Sequence, residues 1–378
     1  MSDLILNIIF LFAGAILGVI ATRVDDYFKK RGIVERNKNS LSKIPDYNPL
    51  KDNIICLRQW NSKDKLNEQS AEIVYDEGRV FNSKSPDIRS PFISAPDEWK
   101  KMYEKELVRE KKRGGAVSYM TYYSPDNKDT KNGDKLTIKV STCDYLAHNV
   151  NSKYLTQYPE DWEKIKKILT GGNYDAYFDY AMPGNVFVNF IVINGQTNHV
   201  LAIKRSSQEL NGRNLWGLGG FETMNDIANV AHGSEEKTLR GIIYRGLCEE
   251  LAMERGEVTQ MSINCLSFVK HLGIMVTALV RVDLAGIQGK EAQGEKNSLT
   301  EGEFIQRIMQ QSESGFEHSS IKWLPINLNE MKSYIENETG FYKDVIQTYD
   351  GNEAKWIGYA KLQMYQIWYN HNCIGIVL

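Results

Sequence analysis

The most apolar stretch of the chain comes first: residues 4–22, LILNIIFLFAGAILGVIAT, in which only Asn7 and Thr22 are polar and nothing is charged. At about 1.5 Å of rise per residue, a helix over this run approaches the roughly 30 Å thickness of bilayer hydrocarbon. No second run of this kind follows. Only Asp3 precedes it, whereas Arg23, Lys29, Lys30 and Arg31 follow closely. That basic bias predicts a single-pass span of a cell membrane, with the N-terminus outside and the C-terminal body in the cytoplasm. A cleaved signal peptide is the competing reading, but it requires a basic start and a small-x-small site, and this chain begins MSD. Gly14 and Gly18 leave one helix face small enough for a second helix to approach closely, a spacing that chance also produces in membrane helices.

Beyond the run the pattern divides the chain. Residues 1–23 form the membrane helix, and 24–50, polar and charged with Gly32, Pro45 and Pro49, read as a linker. Residues 51–175 make a first lobe of unassigned role, with strands at 53–57 and 135–140 and helices at 97–112 and 160–169. Within it, SPDNKDTKNGDK at 124–135 reads as a surface loop. Residues 176–378 are richer in pattern. β-branched and aromatic runs at 186–193 and 199–204 flank Asn194-Gly195-Gln196-Thr197, which predicts a hairpin with an Asn-Gly turn. From 235 to 253, Leu239, Ile243, Leu247 and Leu251 recur at i, i+4 and Ile242 widens the stripe, so a helix turns this face to a core. Strands follow at 262–269 and 274–282, with a last edge at 321–324. The class implied is α/β, a mixed sheet with helices.

Composition narrows the possibilities. With 42 % hydrophobic residues in 378, the chain has enough apolar surface for real cores. Forty-six basic against 48 acidic residues, a net charge of −2, exclude the broad positive field of a duplex nucleic-acid binder. Phosphate recognition must then be local. The five cysteines, Cys56, Cys143, Cys248, Cys265 and Cys373, are odd in number and lack C-x-x-C pairs, which fits free thiols in a reducing compartment.

Candidate chemistry gathers on the long helix. Glu250 lies eleven residues after Leu239, three turns and about 20° on, so it falls inside the apolar sector. A carboxylate there needs a cation, hydrogen-bond donors or a raised pKa. Glu249 stands at the sector's edge, and Arg245 is one turn before it, close enough to pair. A solvated Glu-Glu step with a weak surface ion pair is the plain alternative.

Three pieces in order, NLWGLGGFE (214–222), RGLCEELAM (245–253) and IKWLPIN (321–327), resemble the Nudix family, whose strand-loop-helix motif opens at a glycine and ends in R-E-U-x-E-E-x-G-U. The resemblance covers roughly residues 186–334 and implies a Nudix-like mixed sheet sandwiched by helices, preceded here by an α/β N-terminal lobe and the membrane helix. It implies further that Glu249 and Glu250 hold a divalent cation, Mg2+, that Arg245 orients them, and that Gly220 is the opening glycine. This chain departs from the motif at three places: Gly246 replaces the glutamate after the arginine, Ala252 replaces the late glycine, and Lys237 stands for the earlier glutamate. Glu236 is one position, or about 100°, away and does not substitute. Hydrolysis loses a ligand or base by these changes, whereas ligand binding does not. Lys204, Arg205 and Arg213 are placed to meet phosphates, and Trp216, Phe221 and Trp323 to stack on a base; core packing is the other reading of the tryptophans, as a solvated strand end is of Lys204 and Arg205. His271 is either a phosphate contact or a structural turn residue.

A one-helix tether joined to such a body is similar to the membrane-anchored Nudix effectors of bacterial cyclic-oligonucleotide antiphage signalling (CBASS). The resemblance implies binding of a cyclic nucleotide second messenger, assembly into a homo-oligomer in the inner membrane, and membrane disruption. A magnesium-dependent Nudix hydrolase of a nucleoside diphosphate derivative, held at the membrane, and a non-catalytic scaffold are the alternatives.

Overall fold

The computed structural model describes residues 47–60, 71–75, 80–81, 92, 95–109, 116–129, 133–171, 184–207, 214–224, 238–284, 299–312, 318–338 and 355–371. Among these residues no helix is long and apolar enough to cross a membrane; the span expected at 4–22 lies outside them.

Eleven strands and seven α-helices are described. The strands are β1 (Ile54–Gln59), β2 (Ala71–Tyr75), β3 (Ala116–Asp129), β4 (Gly133–Asp144), β5 (Val186–Asn194), β6 (His199–Arg205), β7 (Trp216–Leu218), β8 (Gly220–Thr223), β9 (Val258–Val269), β10 (Gly273–Val282) and β11 (His318–Pro325). The helices are α1 (Asp97–Arg109), α2 (Tyr145–Gln157), α3 (Pro159–Thr170), α4 (Leu239–Leu251), α5 (Glu301–Gln311), α6 (Leu328–Asn337) and α7 (Ala360–Asn370).

One mixed sheet runs β1-β9-β10-β5-β6-β11, with β7 paired to β6 and β8 to β5. Its centre is the parallel pair β5 and β10, registered from Val186↔Ile274 to Asn194↔Val282. Every residue of β5 is buried, because a strand covered on both faces has no solvent side; hence its near-continuous apolar run. Successive β5 side chains alternate faces. Asn189 reaches Gln363 of α7, while the neighbouring Phe190 meets Gly246 of α4, so these two helices cover opposite faces of the sheet. The mixed sheet between helices is as expected from sequence.

The first lobe contributes to both parts of the body. Its opening strand β1 lies antiparallel on β9 at the edge of the large sheet, from Ile54↔Val269 to Gln59↔Cys265. The rest forms a second sheet, β2-β4-β3, packed with the helices α1 and α2. Helix α3 seats Trp162 on Phe268 of β9, ring centroids 5.9 Å apart, tying the lobe to the large sheet.

Several sequence expectations need correction. The stretch 124–135 is not simply a loop: β3 runs through Asp129 and β4 starts at Gly133, pairing Asn127↔Lys135 and Asp129↔Gly133. The hairpin between β5 and β6 forms, but its turn spans 195–198 and the left-handed residue is Asn198 (φ 56°), not Gly195. Helix α2 was hidden because it is buried on more than one side, with Leu146, Val150, Asn151, Tyr154 and Leu155 all inside and little amphipathic contrast. The long helix begins at Leu239, where the Thr238 hydroxyl accepts from the Gly241 N–H at 3.0 Å.

Candidate functional site

The site is built by the β7-β8 turn, the C-terminal half of α4 and the approach to α7, with the end of β6 and the start of β11 beside them. At Gly219 (φ 69°) the chain passes so close to β5 that an added Cβ would lie 1.9 Å from the Phe190 carbonyl oxygen. That approach allows β8 to pair with β5, Gly220 facing Phe190 and Glu222 facing Val188 in register. The buried amide of Gln363 on α7 then serves β7 as a neighbouring strand would. Its Oε1 accepts from the Leu218 N–H at 2.9 Å, and its Nε2 donates to the Leu218 carbonyl at 2.8 Å and to Asn189 Oδ1 at 3.1 Å.

Adjacent side chains of β8 point to opposite sides, and this splits the candidate residues into two groups. Glu222 turns to α4. Arg245 Nη2 donates to its Oε1 at 2.8 Å and to the Thr223 carbonyl at 2.9 Å, while Arg245 Nε lies 3.9 Å from Glu249 Oε1. Burial, with help from the hydrogen-bonded Glu249 and against the pull of Arg245, pushes the Glu222 carboxyl up to about 7. Here α4 packs tightly on the strand: a Cβ at Gly246 would sit 2.6 Å from both Glu222 Cβ and Phe190 Cε1.

Phe221 faces the other way, lining a small pocket with Arg205, Glu250, His318, Tyr359 and the backbone of Gly217, Gly219 and Gly220 among its walls. The Arg205 guanidinium lies over the Phe221 ring, 4.1 Å from its centroid. His318 Nε2 stands 3.5 Å from Glu250 Oε2 and 3.3 Å from the Glu250 carbonyl. Tyr359 meets Phe221 edge-on at 6.4 Å, and burial pushes its phenol well above the usual range. The pocket thus holds a guanidinium on an aromatic face beside an imidazole-carboxylate pair.

Of the residues singled out in the sequence, Arg205, Phe221 and Glu250 meet at this pocket; Arg245 and Glu249 gather on the Glu222 side. Lys204 is half-buried in β6, paired to Trp216, and is not a lining residue. Trp216 belongs to the core: it is buried, and its backbone bonds to Lys355 and Ile357. Trp323 is likewise buried, against Phe304. Arg213 lies outside the described residues. His271 sits exposed in the β9-β10 turn and is not a lining residue. Glu222, His318, Tyr359 and Gln363 were not picked out beforehand. Glu222 carried one signal, an acid two positions after a glycine pair; His318, Tyr359 and Gln363 carried none.

Mg2+ takes about six oxygens in near-octahedral array. Neighbours on a helix diverge by about 100°. Thus Glu249 turns to Arg245 and Glu250 to His318, and among the described residues no three Asp, Glu, His or Cys side chains converge as a metal site.

No family model matches the chain, and no curated protein matches it either. Solved structures do. A protein from Deinococcus radiodurans is 16 % identical over 47 % of this chain and 80 % of its own, with a TM-score of 0.26. The NUDIX domain of Shewanella oneidensis NrtR, crystallised with ADP ribose, is 14 % identical over 48 % of this chain and 84 % of its own, with a TM-score of 0.23. A MutT protein from Methanosarcina mazei is 13 % identical over 50 % of this chain and 94 % of its own, with a TM-score of 0.26.

Proposed function

We propose that this protein is a membrane-tethered nucleotide sensor whose Nudix-like body binds a cyclic nucleotide second messenger without hydrolysing it. In this reading residues 4–22 anchor a homo-oligomer in a bacterial inner membrane, and ligand binding drives membrane disruption in antiphage defence. One observation carries the choice of sensor over hydrolase. Position 246, which the motif reserves for a glutamate, is a glycine pressed against Glu222 and Phe190, while a pocket lined by Arg205 and Phe221 lies beside β8. The first feature withdraws a catalytic carboxylate, and the second sets a guanidinium and an aromatic ring together, groups that can meet a phosphate and a base. Linkage supplies the output: a ligand that binds one assembly state more tightly shifts the population toward it.

The test is calorimetric titration of the full chain in nanodiscs with cyclic di- and trinucleotides. Saturable binding at micromolar levels or better, lost in Arg205→Ala, is the expected result. Absence of binding across the panel removes the sensor reading. Steady magnesium-dependent turnover that Glu250→Gln abolishes replaces it with the hydrolase.

A further inference from the structure

Away from the pocket, on the edge of the large sheet, two thiols face each other. Cys56 of β1 and Cys265 of β9 have their Sγ atoms 3.6 Å apart. They are not directly opposite in the ladder: Cys56 pairs with Ser267, and Cys265 with Gln59. They are diagonal neighbours on one face, brought together where the register shifts between Cys56 and Arg58. The partners differ in access. Cys56 lies on the outermost strand and is exposed, whereas Cys265 is fully buried.

We propose that Cys56 and Cys265 form a peroxide-reactive dithiol that closes to an intramolecular disulfide. The Cys56 thiolate attacks a peroxide oxygen: an S–O bond forms, the O–O bond breaks, and hydroxide leaves. This yields Cys56 sulfenic acid. Cys265 then gives up its proton and its sulfur attacks Cys56; the S–S bond forms, the S–O bond breaks, and water departs. Overall, two thiols and one hydrogen peroxide become one disulfide and two waters, the two electrons passing from sulfur to peroxide.

The local chemistry divides the roles. The hydrogen bond from Cys265 holds the Cys56 thiol below the usual thiol range, and the same contact together with burial pushes Cys265 well above it. The sulfur on the outermost strand is the attacking thiolate and the one inside the sheet resolves it. The product would bridge positions 209 residues apart in sequence, beside the contacts that hold α7 to the start of the body. These are the reciprocal Gln59–Gln366 amide bonds of 2.9 and 2.7 Å and the Tyr47–Tyr365 ring contact at 5.2 Å.

The experiment treats the full-length protein in nanodiscs with a modest excess of hydrogen peroxide, quenches with N-ethylmaleimide under denaturing conditions, and maps the digested peptides. A Cys56–Cys265 cross-linked peptide lacking two hydrogens should appear, with Cys56 consumed at least about tenfold faster than the exposed but unpaired-in-role Cys248 of α4. In Cys265→Ser the Cys56 sulfenic acid should persist and be trapped by dimedone; in Cys56→Ser, which alters only the exposed partner, Cys265 should stay alkylatable. Over-oxidised Cys56 beside an alkylated Cys265, a bond from Cys56 to any other thiol, or consumption no faster than that of Cys248 would each overturn the proposal.

Discussion

Glu222 stands in the space that a side chain at position 246 would need: a Cβ on Gly246 falls 2.6 Å from the Cβ of Glu222. The helix and strand can therefore meet only through a glycine, and their contact is sealed by Arg245, which bonds to Glu222 and to the Thr223 carbonyl.

Restoring the motif should accordingly damage the protein. Gly246→Glu forces α4 away from β8, and we expect a loss of at least about 2 kcal/mol of stability, read by urea denaturation, without magnesium-dependent hydrolysis. A stable variant that hydrolyses dinucleotides would show that the packing is adaptable and the sensor reading wrong.

Glu222 should make stability depend on pH. Its carboxyl is raised from 4.5 to about 7 in the fold, so between these values the native state holds a proton that the unfolded chain releases. Stability is then greatest below pH 4.5 as far as this group is concerned, and falls as pH rises to about 7, by on the order of 1–3 kcal/mol. In Glu222→Gln that slope should vanish from denaturation curves collected across the window. An unchanged slope would assign it to other groups.

Ala252 ends α4 in the left-handed conformation (φ 51°, ψ 34°), with its N–H bonded to the Cys248 carbonyl. Only glycine adopts that geometry without strain. Ala252→Gly should therefore raise stability by about 1 kcal/mol, visible as a higher Tm; a lower Tm would mean that the alanine methyl packs usefully.

For the pocket, Phe221→Ala and Arg205→Ala should each weaken nucleotide binding by about tenfold or more, corresponding to roughly 1–3 kcal/mol of lost stacking or charge contact. Lys204→Ala should leave the affinity within about twofold, since Lys204 does not line the pocket. Equal losses in all three variants would point to a diffuse field instead of a built site.

Gln363→Leu removes hydrogen bonds to both backbone groups of Leu218 and to Asn189 inside the protein. Each buried group left without its partner costs about 1–3 kcal/mol, so the variant should unfold at markedly lower urea. Near-normal stability would show that α7 is not what holds β7 in place.

Periodicity alone was enough for α4, whose predicted stripe of Leu239, Ile242, Ile243, Leu247 and Leu251 is wholly buried, and for the central strands, whose β-branched runs reflect cover on both faces. Arg245 and Glu249 were readable as a pair because one helical turn separates them. The division between Glu249 and Glu250 was not readable. Both were expected to grip one cation, yet a single step along the helix sends one to Arg245 and the other to His318. Trp216 illustrates the opposite failure, since its aromatic character is equally suited to a ligand and to the core where it lies.

What the amino-acid order determines by itself is local: where apolar residues recur, which elements they form, and which side chains lie one turn or one strand step apart. Which distant groups share a cavity was decided by the tertiary structure. Arg205, Phe221, Glu250, His318 and Tyr359 come from five separate elements or connections, and their meeting depends on the β5-β10 pairing, the glycine approach at 219 and the amide clasp of Gln363. Helix and strand periods are written in neighbouring residues, whereas long-range contacts depend on the register of strands far apart in sequence.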